Sequence, residues 1–467
     1  VKQQPSPTTT PHELADEQAA SFLFESLRRA RQVGALDGLD RDTRDLNPTR
    51  DLLARLGHPA QEVAYLLVTG SKGKGSTAVI AAKLLETAGF RVGLVTSPSL
   101  VSFRERIRVD GRAIPAPDFA RLVERIAPLV EEIDADLPPD RYCSPTGMIL
   151  ALAQLYFAEQ NVDAAVIEAG RGGRFDDTRL VPNRVAALTP VMYEHPAQLG
   201  PTLRDIAWNK AGIIPQGGTA ISAAQDPLPL AVIRAEATAL DARLYVLGHD
   251  FQAEFTRPLP DAAGIEMTLS TPWHDHGRLR VPLLGRYQVE NVAVGVSAVE
   301  ALLHEIGRPP TDDWSQGVQD ALDRVRWPGR CQVLSRNTLT IIDGAINDES
   351  AHLFRDSIEH LICHPVAAIV GVPADKDFAG VYHQMAQVAE TLIITRAHNP
   401  HLHFPDDEEA LNVARRHCRQ VETAPDVQAA YQVARQRAGD GGTVLIVGTQ
   451  SLLSDTLIAW GFSLETI

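Results

Sequence analysis

The chain has 467 residues, 44% of them apolar, and a formal net charge of −15. That length holds two or three domains with a sizeable core, while the acidic balance argues against a general binder of nucleic acid or of an acidic membrane, which needs a positive face. No apolar run is long enough to cross a bilayer, and Cys143, Cys331, Cys363 and Cys418 are too scattered for a disulfide framework or a paired-cysteine metal site, so a cytoplasmic protein with neither a nucleic-acid nor a membrane partner is expected.

In chain order, Val1 to Pro11 is polar, contains prolines and lacks an apolar signal core, so residues 1–20 are expected to be a disordered tail. Ser21 to Val33 has helical spacing. The most informative stretch follows. A β-branched, apolar run from Val63 to Val68 enters Thr69-Gly70-Ser71-Lys72-Gly73-Lys74-Gly75-Ser76-Thr77, and a helix-favouring segment runs on to Ala88. Strand, glycine loop and helix form a cradle for phosphate. Glycines let backbone N–H groups converge on anionic oxygens, the helix start adds its positive dipole end, and the lysine meets the outer phosphates. The pattern G-x-x-x-x-G-K-[ST] is not met, since Val68 stands at the first glycine and Gly75 directly follows Lys74.

Further on, Val92 to Thr96, Val162 to Ile167 and Val185 to Leu188 read as buried strands, and Asp118 to Ile133 and Met148 to Gln160 as helices. This rhythm implies a doubly wound, mostly parallel α/β sheet, in which ligands sit at the carboxyl ends of the strands. The glycine loop, Ser97, Glu168 and His195 all fall just after such ends. A β-rich, charged stretch from Leu244 to Val281 precedes a helix from Tyr287 to Leu303. Breaker clusters at Gly307-Arg308-Pro309-Pro310 and Trp327-Pro328-Gly329-Arg330 then introduce renewed alternation, with strands at Thr338–Ile342, Ala367–Val370, Leu392–Thr395 and Val444–Val447. The organisation expected is an ATP-binding domain over residues 21–325 and a smaller Rossmann-like α/β domain over 326–467.

These motifs, taken together, resemble the folylpolyglutamate synthase and dihydrofolate synthase family of the Mur ligase superfamily, over Leu39 to Leu453. Thr69 to Ser76 is similar to the family's loop T/A-G-T-N-G-K-G-S. Thr96-Ser97-Pro98-Ser99-Leu100 and Arg104-Glu105-Arg106-Ile107 look like T-S-P-H-L and N-E-R-I. Ile167 to Asp176 looks like E-V-G-x-G-G-R-x-D, and Glu194-His195 stands for Asp-His. Lys210-Ala211-Gly212-Ile213-Ile214 matches K-A-G-I-I, and Gln288 and Asn291 match H-Q-x-x-N. Pro328-Gly329-Arg330 and Asp343-Gly344-Ala345 match the hinge arginine and the D-G-A-H-N-P loop.

The resemblance implies a central P-loop type domain followed by the smaller α/β domain, and an ATP-dependent carboxylate–amine ligase. In such an enzyme a carboxylate attacks the γ-phosphate of ATP, and an amino acid's amine displaces phosphate from the acyl phosphate. The partners implied are a small carboxylate acceptor, folate-like or other, and an amino acid, most simply glutamate, acting on a monomer with a larger assembly left open. Gly70, Gly73, Lys74, Gly75, Ser76, Asn291, Arg330 and Asp343 would contact ATP. Ser97, Glu168 and His195 would hold Mg2+, with Lys210 joining them as a carbamate; Lys74, Glu168, His195 and Lys210 would carry the catalysis. Asp375-Lys376-Asp377 resembles a further family segment.

Four positions depart from the pattern: Ser99 and Ile346 replace histidines, Gly147 stands at a usual glutamate, and Tyr287 replaces the histidine before Gln288; Asp348 also replaces the loop's proline. ATP and metal elements are kept while acceptor and amino-acid elements drift. That leaves an alternative, a nucleotide-binding homologue that no longer ligates and serves as a regulatory or partner subunit. A P-loop kinase would leave Arg330 and Asp343 unexplained.

Overall fold

The computed structural model describes residues 18–34, 36–259 and 264–467. Most of the expected tail lies outside the described residues, and 18–20 already belong to a helix. An eight-stranded sheet contains β1 (Ala64–Thr69), β2 (Val92–Val95), β3 (Ile107–Val109), β4 (Arg112–Ala113), β5 (Ala164–Glu168), β6 (Asn183–Leu188), β7 (Thr219–Ser222) and β8 (Arg243–Val246), in the order β4-β3-β2-β5-β1-β6-β7-β8. It is parallel except where β3 pairs with β2 and β4. Its central strands are apolar on both faces, as a sheet covered on both sides requires. Tyr65, Leu67, Ala165 and Ile167 enter one core, while Leu66, Val68, Ala164 and Val166 enter the other.

The second core holds the helix Lys74–Thr87, buried continuously from Ser76 to Leu85. A helix apolar on all sides must be covered on all sides. The sheet, the helix Gln288–Glu305 and the helix Trp314–Arg324 do so. The charged β-rich stretch continues past β8 into a separate antiparallel sheet of β9 (Gln252–Pro258), β10 (Ile265–Ser270) and β11 (Asp275–Val281), whose Met267, Leu269, Leu279 and Val281 close the same core.

The later part of the chain forms a six-stranded sheet of β12 (Gln332–Ser335), β13 (Leu339–Asp343), β14 (Val366–Gly371), β15 (Thr391–Ile394), β16 (Gln420–Thr423) and β17 (Thr443–Gly448), ordered β12-β13-β17-β14-β15-β16. Only the β12–β13 pairing is antiparallel. The α/β architecture expected from the sequence, a large doubly wound sheet and a smaller Rossmann-like one, is the one observed. The two sheets are joined through residues 325–331 and again near residue 465. There the Ala113 N–H donates to the Glu465 carbonyl at 2.7 Å, and the buried Arg108 guanidinium donates to the Leu464 carbonyl at 2.7 Å.

Differences from the sequence reading are local. The Ser21–Val33 helix is interrupted at Leu23–Phe24, so that Leu23 sinks into the core while Phe24 packs edge-on against Phe103 at 5.7 Å. Strands β3, β4, β7, β12 and β16 escape periodicity because each has at most four residues. Among the described residues no helix is long and apolar enough to cross a membrane.

Candidate active site

The glycine loop lies at the carboxyl end of β1. Gly73 closes the N-terminus of the Lys74–Thr87 helix with φ of 85°, and no side chain caps the first turn. The first N–H groups are therefore left for a ligand. A Cβ at Gly73 would lie 2.1 Å from Asn291 Oδ1, and one at Gly70 would lie 1.9 Å from Thr189 Oγ1, so both glycines are required by close packing as well as by conformation. Lys74 donates to the Gly70 carbonyl at 3.0 Å. Gly75 faces the Trp327 ring and Ser76 is buried.

Glu168 ends β5, the neighbour of β1. Its Oε2 accepts the Ser97 N–H at 2.8 Å. Burial pushes this carboxyl up, against the pull of Lys74, the Ser97 N–H, Arg330 and Arg106. His195 adopts a left-handed backbone, φ 49°, just before a proline. Partial desolvation lowers its pKa, Glu194 opposes this, and Arg171, Lys210 and Lys74 add to it; the imidazole is neutral at pH 7. Among the described residues nothing hydrogen-bonds to the His195 ring or the Ser97 hydroxyl.

Lys210 is wholly buried, and its Nζ donates to the Gly70 carbonyl, the Arg171 carbonyl and Glu194 Oε1, each at 2.8 Å. Burial lowers its pKa to about 8, with Glu194 working the other way. Burial works upward on Glu194, but Lys210, Lys74 and the Ser71 hydroxyl outweigh it and hold this carboxyl below the ordinary range. In this form Lys210 is a saturated donor that ties the glycine loop to the loops after β5 and β6, and not a metal ligand.

The second sheet contributes Arg330 and Asp343. Asp343 ends β13 and accepts the Cys331 N–H at 2.9 Å; burial raises its pKa while Arg330 and the Cys331 N–H oppose. Gly344 leaves room for the Arg330 guanidinium, whose Nη1 would lie 2.4 Å from a Cβ there. Gly70, Gly73, Lys74, Gly75, Ser76, Ser97, Glu168, His195 and Lys210 thus gather at adjacent strand ends, and the charge of Arg330 acts on Glu168 from the second sheet. Asn291 lies beside this loop: it is buried, with Oδ1 against Gly73 and Nδ2 donating to Gln288 Oε1 at 2.9 Å. It braces the loop.

The donor set suits magnesium. One carboxylate with a free oxygen, one hydroxyl and one neutral imidazole leave room for water and phosphate oxygens, the mixed shell this ion takes. Among the described residues no group of three His, Cys, Asp or Glu side chains forms a ready-made metal cage. A separate cavity of about 360 Å³ opens at the ends of β15 and β16, beside Tyr382, Arg396 and Asp407. Its arginine is already paired with Asp407, so it is not the phosphate site.

Sequence reasoning missed the partner of Lys210 as a partner: Glu194 stood only as a motif match. It also missed the buried cluster around Asp177, which accepts from Arg44 Nη2 and Thr49 Oγ1, each at 2.6 Å. These residues lie more than a hundred positions apart, beyond the reach of any local pattern.

The chain matches the family description Mur ligase middle domain over residues 126–299 and Mur ligase, glutamate ligase domain over 329–450. It is 30% identical over 416 residues to the dihydrofolate synthase/folylpolyglutamate synthase of Bacillus subtilis, covering 88% of this chain and 93% of the relative. It is 32% identical over 346 residues to the folylpolyglutamate synthase of Lacticaseibacillus casei, covering 73% and 79%. A Mycobacterium tuberculosis folylpolyglutamate synthase solved with ADP and AMPPCP superimposes with a TM-score of 0.81 at 26% identity, covering 94% of this chain and 100% of that one. The non-ligating alternative draws no support from these likenesses. The chain belongs to the folylpolyglutamate synthase/dihydrofolate synthase family of Mur ligases, the ATP-dependent enzymes that join a carboxylate to an amine.

Proposed function

We propose that this chain adds glutamate to a folate-type acceptor, using ATP held on the loop Gly70–Ser76. The observation that supports the reading is that the charges of Lys74, from one sheet, and Arg330, from the other, both act on the buried Glu168. A ligase of this kind must bring two anions together, so cations have to dominate the point where they meet. The uncapped helix start and Lys74 receive the β- and γ-phosphates. Arg330 and Asp343 complete the nucleotide's surroundings from the second sheet, across a hinge at Trp327-Pro328-Gly329 suited to closure.

Ser97, Glu168 and His195 would hold the magnesium, which when bound offsets phosphate charge and favours attack at the γ-phosphorus. The acceptor's carboxylate oxygen attacks that phosphorus and ADP leaves, giving an acyl phosphate. The amine nitrogen of glutamate attacks the acyl carbon, the C–O bond to phosphate breaks, and the nitrogen sheds a proton. The amine of Lys210, lowered to about 8, carries enough neutral form to take up carbon dioxide. As a carbamate beside Glu194 it would supply a second anionic metal ligand, in exchange for the hydrogen bonds of the unmodified lysine.

Both halves of the site come from one chain, which supports a monomer as the working form, and the four free cysteines suit a reducing cytoplasm. The boundary we favour falls between residues 325 and 326, just before the hinge. The test is phosphate release from ATP, with product mass, across folate and dihydropteroate as acceptors and a panel of amino acids. Glutamate-dependent release with a mass increase of one glutamyl unit is expected, and release that ignores both acceptors would reject the folate reading.

A further inference from the structure

Three arginines line the segment that leads into and along β3, and they are treated differently. Arg104 donates to the Ile114 carbonyl at 2.8 Å and pairs with Glu465. Arg108 donates to the carbonyls of Gly111, Leu464 and Glu465. Arg106 has no hydrogen-bond or ion-pair partner among the described residues, and its Nε is buried and unsatisfied. Its guanidinium lies 4.4 Å over the Phe103 ring, which Phe24 and Phe119 brace at 5.7 and 6.2 Å. Its carbonyl accepts the Thr96 N–H at 3.1 Å, so its backbone is fixed beside Ser97. A half-buried guanidinium that hydrogen-bonds to no anion, and feels only the charge of Glu168 nearby, is costly; one held in place at a strand end beside the cleft is built to receive an anion.

The sheet order says which one. β5, carrying Glu168, lies between β1 and β2. The phosphate loop follows β1 on one side. Ser97 and Arg106 flank the end of β2 on the other, two strand spacings or about 10 Å away. The phosphates have Lys74 and the loop; on the β2 side, Arg106 is the cation beside Ser97 that the described residues leave without a hydrogen-bonded or ion-paired partner. We propose that Arg106 binds the reacting carboxylate of the acceptor and holds it towards the γ-phosphate. This rests on the ligase reading and adds the residue that seats the acceptor. A planar guanidinium matches a carboxylate with two parallel hydrogen bonds, which a lysine cannot copy.

The test compares Arg106→Ala and Arg106→Lys with the native full-length chain, with dihydropteroate and folate as acceptor probes. Both variants should raise the acceptor KM at least tenfold and leave the ATP KM within twofold. Free guanidinium should partly restore Arg106→Ala, and melting temperatures should not fall, since no protein contact of the guanidinium beyond the Phe103 ring is lost. An unchanged acceptor KM would overturn the assignment, as would an ATP KM that rises as much. If the native chain ligates neither probe, the folate reading fails separately. Fluorescence titration of dihydropteroate against native and Arg106→Ala chains then still decides the role of Arg106, with equal affinities overturning it.

Discussion

The two sheets contribute unequal halves to one site. On the eight-stranded side the charged groups are braced by backbone: Glu168 by the Ser97 N–H, Lys210 by two carbonyls, Lys74 by the Gly70 carbonyl. On the six-stranded side Asp343 is held the same way by the Cys331 N–H, but the loop beyond it has been rebuilt. Half-buried Ile346 packs on the core of that sheet, and the Asp348 N–H reaches Asp377 Oδ2 at 3.0 Å. Groups that meet phosphate need fixed charge at fixed positions, and backbone bracing supplies it. Groups that read the incoming substrate are free to trade a polar contact for packing.

The sharpest way to break this contrast is at Lys74. Among the described residues its ammonium hydrogen-bonds only to the Gly70 carbonyl, so Lys74→Ala should leave the melting temperature within about a degree or two while turnover falls on the order of a thousandfold. Stopped-flow phosphate release would show it; near-native turnover would move the phosphate site elsewhere.

Lys210 comes next, with a loss on the order of a hundredfold for Lys210→Ala. The unfolded chain keeps this proton to an ordinary 10.5 while the folded chain releases it near 8. Between those values the unfolded state binds more protons, so unmodified protein gains stability as pH rises. At pH 7 the ammonium leads by about ten to one, and above 8 the neutral amine that reacts with carbon dioxide prevails. A carbamate signal from 13C-bicarbonate should therefore grow from pH 7 to 8.5 and vanish in Lys210→Ala. Native protein with no such signal at any pH would dismiss the carbamate.

Gly147 tests whether a departure from the family pattern is drift or compensation. A Cβ there would lie 1.9 Å from Thr49 Oγ1, whose hydroxyl donates to Asp177. That wholly buried carboxyl is pushed up by burial, with Arg44 opposing. The carboxylate expected at 147 is thus absent where Thr49, bonded to the Asp177 of an Arg44–Asp177 pair, fills the space. Gly147→Glu should cost about 3 kcal/mol or more in urea melts, by overpacking and by disturbing that pair. Thr49→Gly in the same chain should return part of it.

These outcomes also mark what was legible. Strand, loop and helix around Gly70–Ser76, and the placing of Ser97, Glu168 and His195 at strand ends, follow from local periodicity and turn chemistry, which the chain writes within a dozen residues. The burial of Lys210, the solitary guanidinium of Arg106 and the pairing of Thr49 with Asp177 depend on which distant segments pack together. So does the packing of Asn291 against Gly73, more than two hundred positions away.

The smallest effect is expected at Ile346, and it bears most directly on the contrast between the two halves. Its N–H donates to Ser350 Oγ at 3.2 Å, and Asn347 caps the helix Asp348–Ile358 through the Ser350 N–H at 2.9 Å. The backbone of the loop is therefore set by its neighbours, and a new side chain at 346 changes what faces the substrate more than it changes the fold. Ile346→His gives up part of one apolar contact, a cost of about 1 kcal/mol. It also restores a donor at the position where family enzymes carry one. Glutamate KM should fall by several-fold up to about tenfold, the worth of one hydrogen bond to a charged group, with kcat changed less and the acceptor KM unchanged. Equal glutamate KM in both chains would mean that the apolar side chain is neutral. The two halves of the site would then differ in how they are braced but not in what they select.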